Sequence, residues 1–126
     1  MSDSAWKILF ATAAVFNFIA GSGPLLAPDW ALATLGIVPP PMLLFVQLSG
    51  GLIVMFGVSY AMVARNLALR ELVWLGAIGK LMAVALLTIY WRNGEIPDTP
   101  FILGFGDLAF ALAFVWFLFG GRRTAA

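Results

Sequence analysis

Residues 42–64 read MLLFVQLSGGLIVMFGVSYAMVA, a stretch without a charged residue that is long enough to cross a membrane as one helix. Three further stretches of this kind lie at residues 5–26, 72–91 and 101–119. Gly and Pro residues separate the stretches, most clearly the proline run at residues 39–41. The pattern predicts four transmembrane helices that follow one another along the chain.

The composition of the whole chain supports this interpretation. Of the 126 residues, 63% are hydrophobic and only 10% are charged, against roughly 25% charged residues in an average soluble domain. This excludes an ordinary soluble enzyme and a disordered chain. We therefore predict a single all-α domain, residues 1–126, that forms a four-helix transmembrane bundle in contact with the lipid bilayer.

The charge and the missing residue types exclude further classes of function. The net charge is +1 and the chain contains no Cys and no His. A weak overall charge gives no electrostatic attraction to nucleic acid. Without Cys and His, disulfides, thiol chemistry and Cys/His metal sites are excluded.

Basic residues predict the orientation of the bundle. Four helices place both termini and the second loop on one face, which carries Lys7, Arg65, Arg70, Arg122 and Arg123. The opposite face carries only Arg92, so the positive-inside rule predicts that both termini are cytoplasmic. Aromatic residues are expected at headgroup depth, with Trp6, Trp74 and Trp116 at the inner boundary and Trp30, Tyr90 and Trp91 at the outer one. The first helix also resembles a signal peptide, but Asp3 and Asn17 disfavour that alternative.

The first outer loop, residues 27–41, is too long for a simple hairpin. Its Pro28-Asp29-Trp30 sequence is typical of a helix start, with Asp29 as the N-cap. Residues 31–37 are mainly apolar and Gly36 can end the helix. We predict a short helix that lies in the outer membrane interface.

Each predicted span contains one strongly polar residue away from its ends: Asn17, Gln47, Lys80 and Asp107. A charge at such a depth costs about 3 kcal/mol on insertion scales, and such residues usually pair inside the protein. We predict an ion pair between Lys80 and Asp107, with Asn17 and Gln47 hydrogen-bonded around it. Small residues at helical spacing beside each polar residue indicate the packed faces of the helices.

This polar cluster allows several interpretations. It can be structural, fixing the order and register of the helices. It can bind a small amphipathic or anionic ligand, or couple to protons, because intramembrane ionisable groups are by default functional. Catalysis has the least support, since the membrane holds a single carboxylate with no paired acid. Alternatively, the chain is an accessory subunit of a larger electron-transfer or photosynthetic complex, or forms a homo-oligomer. No cofactor can be assigned.

Several short stretches resemble those of a known type of protein. Asn17, Gly21 and Pro28 on the first hairpin, residues 75–80 (LGAIGK) and residues 106–108 (GDL) look like those of small uncharacterised bacterial four-helix membrane proteins. The layout also resembles the broader DoxX-like group, which is linked to membrane redox and quinone chemistry. The resemblance implies a bacterial inner membrane. Small multidrug exporters share the size but depend on a membrane-embedded Glu in the first helix, where this chain has Asn17.

Overall fold

The computed structural model describes residues 1–122 and consists of helices. They are α1 (Asp3–Leu26), α2 (Pro28–Leu35), α3 (Leu44–Arg65), α4 (Arg70–Arg92), α5 (Asp98–Trp116) and a C-terminal π-helix (Phe117–Gly121). The four long helices are each long and apolar enough to cross a membrane. This confirms the predicted all-α four-helix bundle, as expected of an integral membrane protein. Arg123, one of the predicted basic residues, lies outside the described residues.

The short helix α2 is present in the first loop, but it begins earlier than predicted. Pro28 occupies the first helical position, where its fixed φ and missing N–H fit a helix start. Ala27 is therefore the N-cap, and the prediction that Asp29 caps the helix is wrong. Gly36 ends α2 with a left-handed backbone, φ 70°. Among the residues of α2, Trp30 is 65% exposed.

Helices α1 and α3 touch through their backbones. A Cβ added at Gly21 would lie 2.6 Å from the carbonyl oxygen of Gly50, and one added at Gly50 would lie 2.5 Å from the backbone nitrogen of Leu25. Small residues allow this approach, which side chains of ordinary size would prevent. The α1/α3 pair therefore depends on the two glycines. Helices α4 and α5 form a second pair, joined by a short loop.

The two pairs pack tightly in one half of the bundle, which we call the closed half. It extends from the end that carries Met1 and Arg122, the basic end, to the level of Lys80. Aromatic side chains that are at most 1% exposed fill it: Trp6, Phe10, Tyr60, Phe114 and Phe117. Trp6, which the sequence predicts near the inner boundary, is fully buried within the protein, and its Nε1 donates to the carbonyl oxygen of Gly121 at 3.2 Å.

The other half of the bundle, from Lys80 to α2, is packed less closely, and we call it the open half. On α4 no residue beyond Lys80 is buried. Ala20, which lies close to the same face of α1 as the buried Asn17, is exposed. At the far end of this half, the start of α5 lies close to the end of α2. A Cβ added at Gly36 would lie 3.4 Å from Cγ of Pro97, the N-cap of α5.

Polar contacts hold the chain ends together at the basic end. The guanidinium of Arg122 donates to both carboxylate oxygens of Asp3, at 3.0 and 3.1 Å, and this hydrogen bond raises the pKa of the Arg122 guanidinium. Arg70 donates to the carbonyl oxygen of Leu118 at 2.6 Å. The carbonyl of Leu118 lies in the last turn of the π-helix, where no later helical N–H can bond to it, so Arg70 supplies the missing donor.

Candidate functional site

Three of the four predicted polar residues meet at the boundary between the closed and open halves. The ammonium of Lys80 donates to Oδ1 of Asp107 at 2.6 Å and to Oδ1 of Asn17 at 3.0 Å. The predicted ion pair between Lys80 and Asp107 is therefore present. We call these three residues the polar cluster. Each lies away from the ends of its helix, so the cluster lies deep in the apolar part of the bundle.

Aromatic rings surround the ammonium of the cluster. The Nζ atom of Lys80 lies 5.2 to 5.5 Å from the centroids of three rings, those of Phe16, Tyr60 and Phe110. At such distances a ring face attracts a cation, most strongly where water is excluded. The carboxylate of Asp107, the amide oxygen of Asn17 and three ring faces thus compensate the charge of Lys80, whose side chain is only 4% exposed.

Two glycines make room for these rings. A Cβ at Gly76 would lie 2.5 Å from Cε1 of Tyr60, and one at Gly106 would lie 2.9 Å from Cζ of Phe16. The sequence pattern marked Gly76, but not Gly106, as part of a packed face, and it did not predict the rings around Lys80. The sequence offered one signal for these rings, which is that Phe16 directly precedes Asn17.

The polar cluster connects all four long helices by hydrogen bonds. The side-chain amide of Asn17, on α1, donates to the carbonyl oxygen of Ile53 on α3 at 3.1 Å. The carbonyl oxygen of the same amide accepts from Lys80 on α4, which also binds Asp107 on α5. Because the amide uses both its N–H donor and its carbonyl acceptor, Asn17 fixes the position of Lys80 relative to the α1/α3 pair.

Gln47 does not join the polar cluster, contrary to the prediction. Its Nε2 donates instead to the carbonyl oxygen of Leu25 at 3.1 Å, and the residue is exposed. The physical reason is the end of α1 at Leu26, since the last carbonyls of a helix lack an intrahelical partner and accept from other donors. Gln47 thus binds the end of α1, away from the centre of the bundle.

Asp107 is the accessible member of the cluster. Its side chain is 26% exposed, against 4% for Lys80. Among the hydrogen bonds within residues 1–122, only its Oδ1 takes part, so Oδ2 remains as an acceptor. A group that approaches the cluster therefore meets the carboxylate before it meets the ammonium.

A small cavity of about 90 Å³ lies between α4 and α5 in the open half. Its lining consists of Val84, Leu87, Thr88, Phe101, Gly104, Phe105 and Leu108. The hydroxyl of Thr88 donates to the carbonyl oxygen of Val84 at 2.7 Å, so the wall is apolar towards the cavity. Val84 lies one helical turn beyond Lys80, and Leu108 follows Asp107 directly.

The polar cluster consists of one ion pair and one amide side chain. In the part of the chain that the structure describes, no three His, Cys, Asp or Glu side chains gather to hold a metal ion. Comparison with family models, with curated proteins and with solved structures gives no match. The likeness to DoxX-like proteins therefore stays a prediction, and the function has to be argued from the geometry of the site.

Proposed function

We propose that this protein binds a small amphipathic molecule inside the membrane, with the polar head at Asp107 and the apolar tail between α4 and α5. One observation carries the proposal: Asp107 is 26% exposed although its partner Lys80 is 4% exposed. A charge in a membrane interior is costly unless it faces protein groups or water, so a pair that served packing alone is expected to have both charges shielded inside the bundle. Here the carboxylate is left accessible at the boundary of the open half.

The surroundings of Asp107 suit the tail of such a molecule. The cavity between α4 and α5 is apolar, and its lining residues Gly104 and Leu108 belong to the same helix segment as Asp107. Its volume of about 90 Å³ is well below the roughly 300–1,000 Å³ of pockets that enclose a whole ligand. The cavity therefore holds a short part of the ligand's apolar tail, and the remainder of the tail lies in the open half and the surrounding lipid.

The direction of approach follows from the orientation that we infer. With the basic end in the cytoplasm of a bacterial cell, the open half faces the outer leaflet of the inner membrane. Reporter fusions test this topology: fusions within residues 65–70 and at the C-terminus should report cytoplasm, and a fusion at Glu95 should report the outside. An outside signal from the C-terminal fusion would contradict the four-span topology.

Mass spectrometry of the natively purified protein tests the binding. We expect the wild type to retain a small amphipathic molecule that the Lys80→Met/Asp107→Leu double variant loses. The matched control is Gln47→Leu, which removes a polar side chain of the open half that lies outside the polar cluster. This variant should retain the molecule. The same small-molecule content in wild type and double variant would contradict the proposal, and a stoichiometric protein partner would support an accessory subunit instead.

A further inference from the structure

We infer that the head group of the bound molecule is an uncharged hydrogen-bond donor, such as the hydroxyl of a long-chain alcohol. This inference rests on the proposed binding site and names the chemical class of its ligand. It follows from two features of the polar cluster, which are its charge balance and the kind of polar atom that it leaves accessible.

The charge of the cluster is already balanced. Lys80 and Asp107 form an ion pair at 2.6 Å, and the remaining charged residues of 1–122 lie at or near the helix ends or in the loops. An ionised head group, cationic or anionic, would therefore bring one uncompensated charge to the middle of the bundle. Such a charge is costly in a membrane interior, whereas an uncharged head leaves the balance unchanged.

The accessible polar atom is an acceptor. Oδ1 of Asp107 already accepts from Lys80, which leaves Oδ2 of the exposed carboxylate for a ligand. The donors of the cluster are not accessible in the same way, because Lys80 is 4% and Asn17 is 5% exposed. The amide of Asn17 also donates to the carbonyl oxygen of Ile53. A ligand must therefore donate, which excludes an anionic head, since that would face the carboxylate without a donor.

The rings do not favour a cationic ligand either. Aromatic faces bind organic cations in many proteins, but here the ring faces of Phe16, Tyr60 and Phe110 are directed at the ammonium of Lys80. To reach these ring faces an external cation would have to displace Lys80, which is anchored by both Asp107 and Asn17. A hydroxyl needs no displacement, because it binds Oδ2 while Lys80 stays on Oδ1.

Photolabelling with matched probes tests the inference. The protein is placed in phosphatidylcholine nanodiscs and treated with five diazirine probes. All five have the same ten-carbon chain and differ only in the end group, which is a hydroxyl, a methyl ether, a sulfonate, a trimethylammonium or no polar group. Mass spectrometry quantifies labelling of peptides that line the cavity between α4 and α5. We expect the alcohol to label them about tenfold more than the methyl ether or either ionic probe, since a hydrogen bond to a charged acceptor is worth about this factor. The preference should disappear in Lys80→Met/Asp107→Leu and persist in Gln47→Leu.

The outcomes separate the inference from the proposed function. If the sulfonate or the trimethylammonium probe labels the cavity most strongly, and the double variant abolishes this labelling, the site binds ligands but the inference about the head group is wrong. Equal labelling by the alcohol and its methyl ether, lost in the double variant, also overturns the inference, because donation is then not required. Labelling that the double variant leaves unchanged for every probe contradicts the proposed function itself.

Discussion

The closed and open halves of the bundle are held together in different ways. In the closed half, buried aromatic rings of α1, α3 and α5 contact one another; Phe10 and Phe114, for instance, stack with their centroids 5.0 Å apart. In the open half, α1 and α3 meet through backbone contacts at Gly21 and Gly50, while α4 buries no residue beyond Lys80. The polar cluster lies where the two modes of packing meet.

The difference shows what positions a site inside a membrane. Because lipid tails are as apolar as the side chains, apolar residues gain little from mutual burial there, and shape and hydrogen bonds decide which helices touch. The rings and the polar cluster hold the two helix pairs together up to the level of Lys80. Beyond that level the ring contacts, such as that between Trp91 and Phe101, lie within the α4/α5 pair, and the carboxylate of Asp107 is left partly accessible.

The largest effect should come from removing one member of the ion pair. Lys80→Met leaves the carboxylate of Asp107 without its partner, and Asp107→Leu leaves the ammonium of Lys80 with the Asn17 amide and the three ring faces but no counter-charge. Removing one partner of a buried pair typically costs about 3–5 kcal/mol, and since Asp107 is partly exposed, we expect Asp107→Leu to cost more than Lys80→Met. Reversible unfolding in mixed micelles measures both free energies.

The double variant tests the coupling between Lys80 and Asp107. Lys80→Met/Asp107→Leu removes both charges, so we expect it to recover much of the stability that either single variant loses. Simple addition of the two single effects would mean that the residues do not interact, which is inconsistent with the 2.6 Å contact.

The next largest effect should distinguish rings of the closed half from rings of the open half. Phe114 is fully buried, whereas Phe105 is 56% exposed. Phe→Ala in a water-soluble core costs about 3–5 kcal/mol of folding free energy. In lipid the part that comes from removing the side chain from water is largely absent. We therefore expect about 2 kcal/mol for Phe114→Ala, from the lost packing. Phe105→Ala, measured in the same unfolding assay, should change stability far less. Equal effects would mean that the two halves are packed alike.

A smaller effect is expected at the glycine contact of the open half. Gly50→Ala would bring a Cβ within 2.5 Å of the backbone of Leu25, whereas the matched Gly51→Ala would place one 3.9 Å from Cδ1 of that residue. Overpacking typically costs about 1–3 kcal/mol, so we expect a loss in this range for Gly50→Ala and almost none for Gly51→Ala. Distance measurements between spin labels on α1 and α3 would show whether the pair has separated.

Much of the fold could be predicted from the sequence, because a membrane helix needs a long apolar stretch and this chain has four. The ion pair was predictable for the same reason: two charged residues on consecutive helices at similar depth have few other partners. Gln47 was assigned to the cluster on its depth and on the small residues at helical spacing beside it. Depth does not determine direction around a helix, and Gln47 binds the end of α1 instead.

Features that depend on three-dimensional shape were not predictable. Trp6 has the position of an interfacial residue, but the π-helix Phe117–Gly121 folds over it and supplies an acceptor for its indole nitrogen. The rings around Lys80 come from three different helices, and no local spacing in the sequence brings them together. The partial exposure of Asp107 likewise depends on the packing around it and not on a local sequence pattern.

The smallest effects should lie at the basic end, where two arginines make different contacts. Arg122 pairs with Asp3, whose side chain is 54% exposed, and exposed ion pairs contribute little because water and salt screen them. Arg70 donates to the carbonyl oxygen of Leu118, which is 7% exposed, and its guanidinium lies 5.8 Å from the ring centroid of Phe117. We therefore expect Arg70→Gln to accelerate amide hydrogen exchange in the C-terminal π-helix severalfold, and Arg122→Gln to leave it almost unchanged at physiological salt. If Arg122→Gln accelerated exchange as much as Arg70→Gln, the surface ion pair, and not the contacts of Arg70, would hold this end of the closed half together.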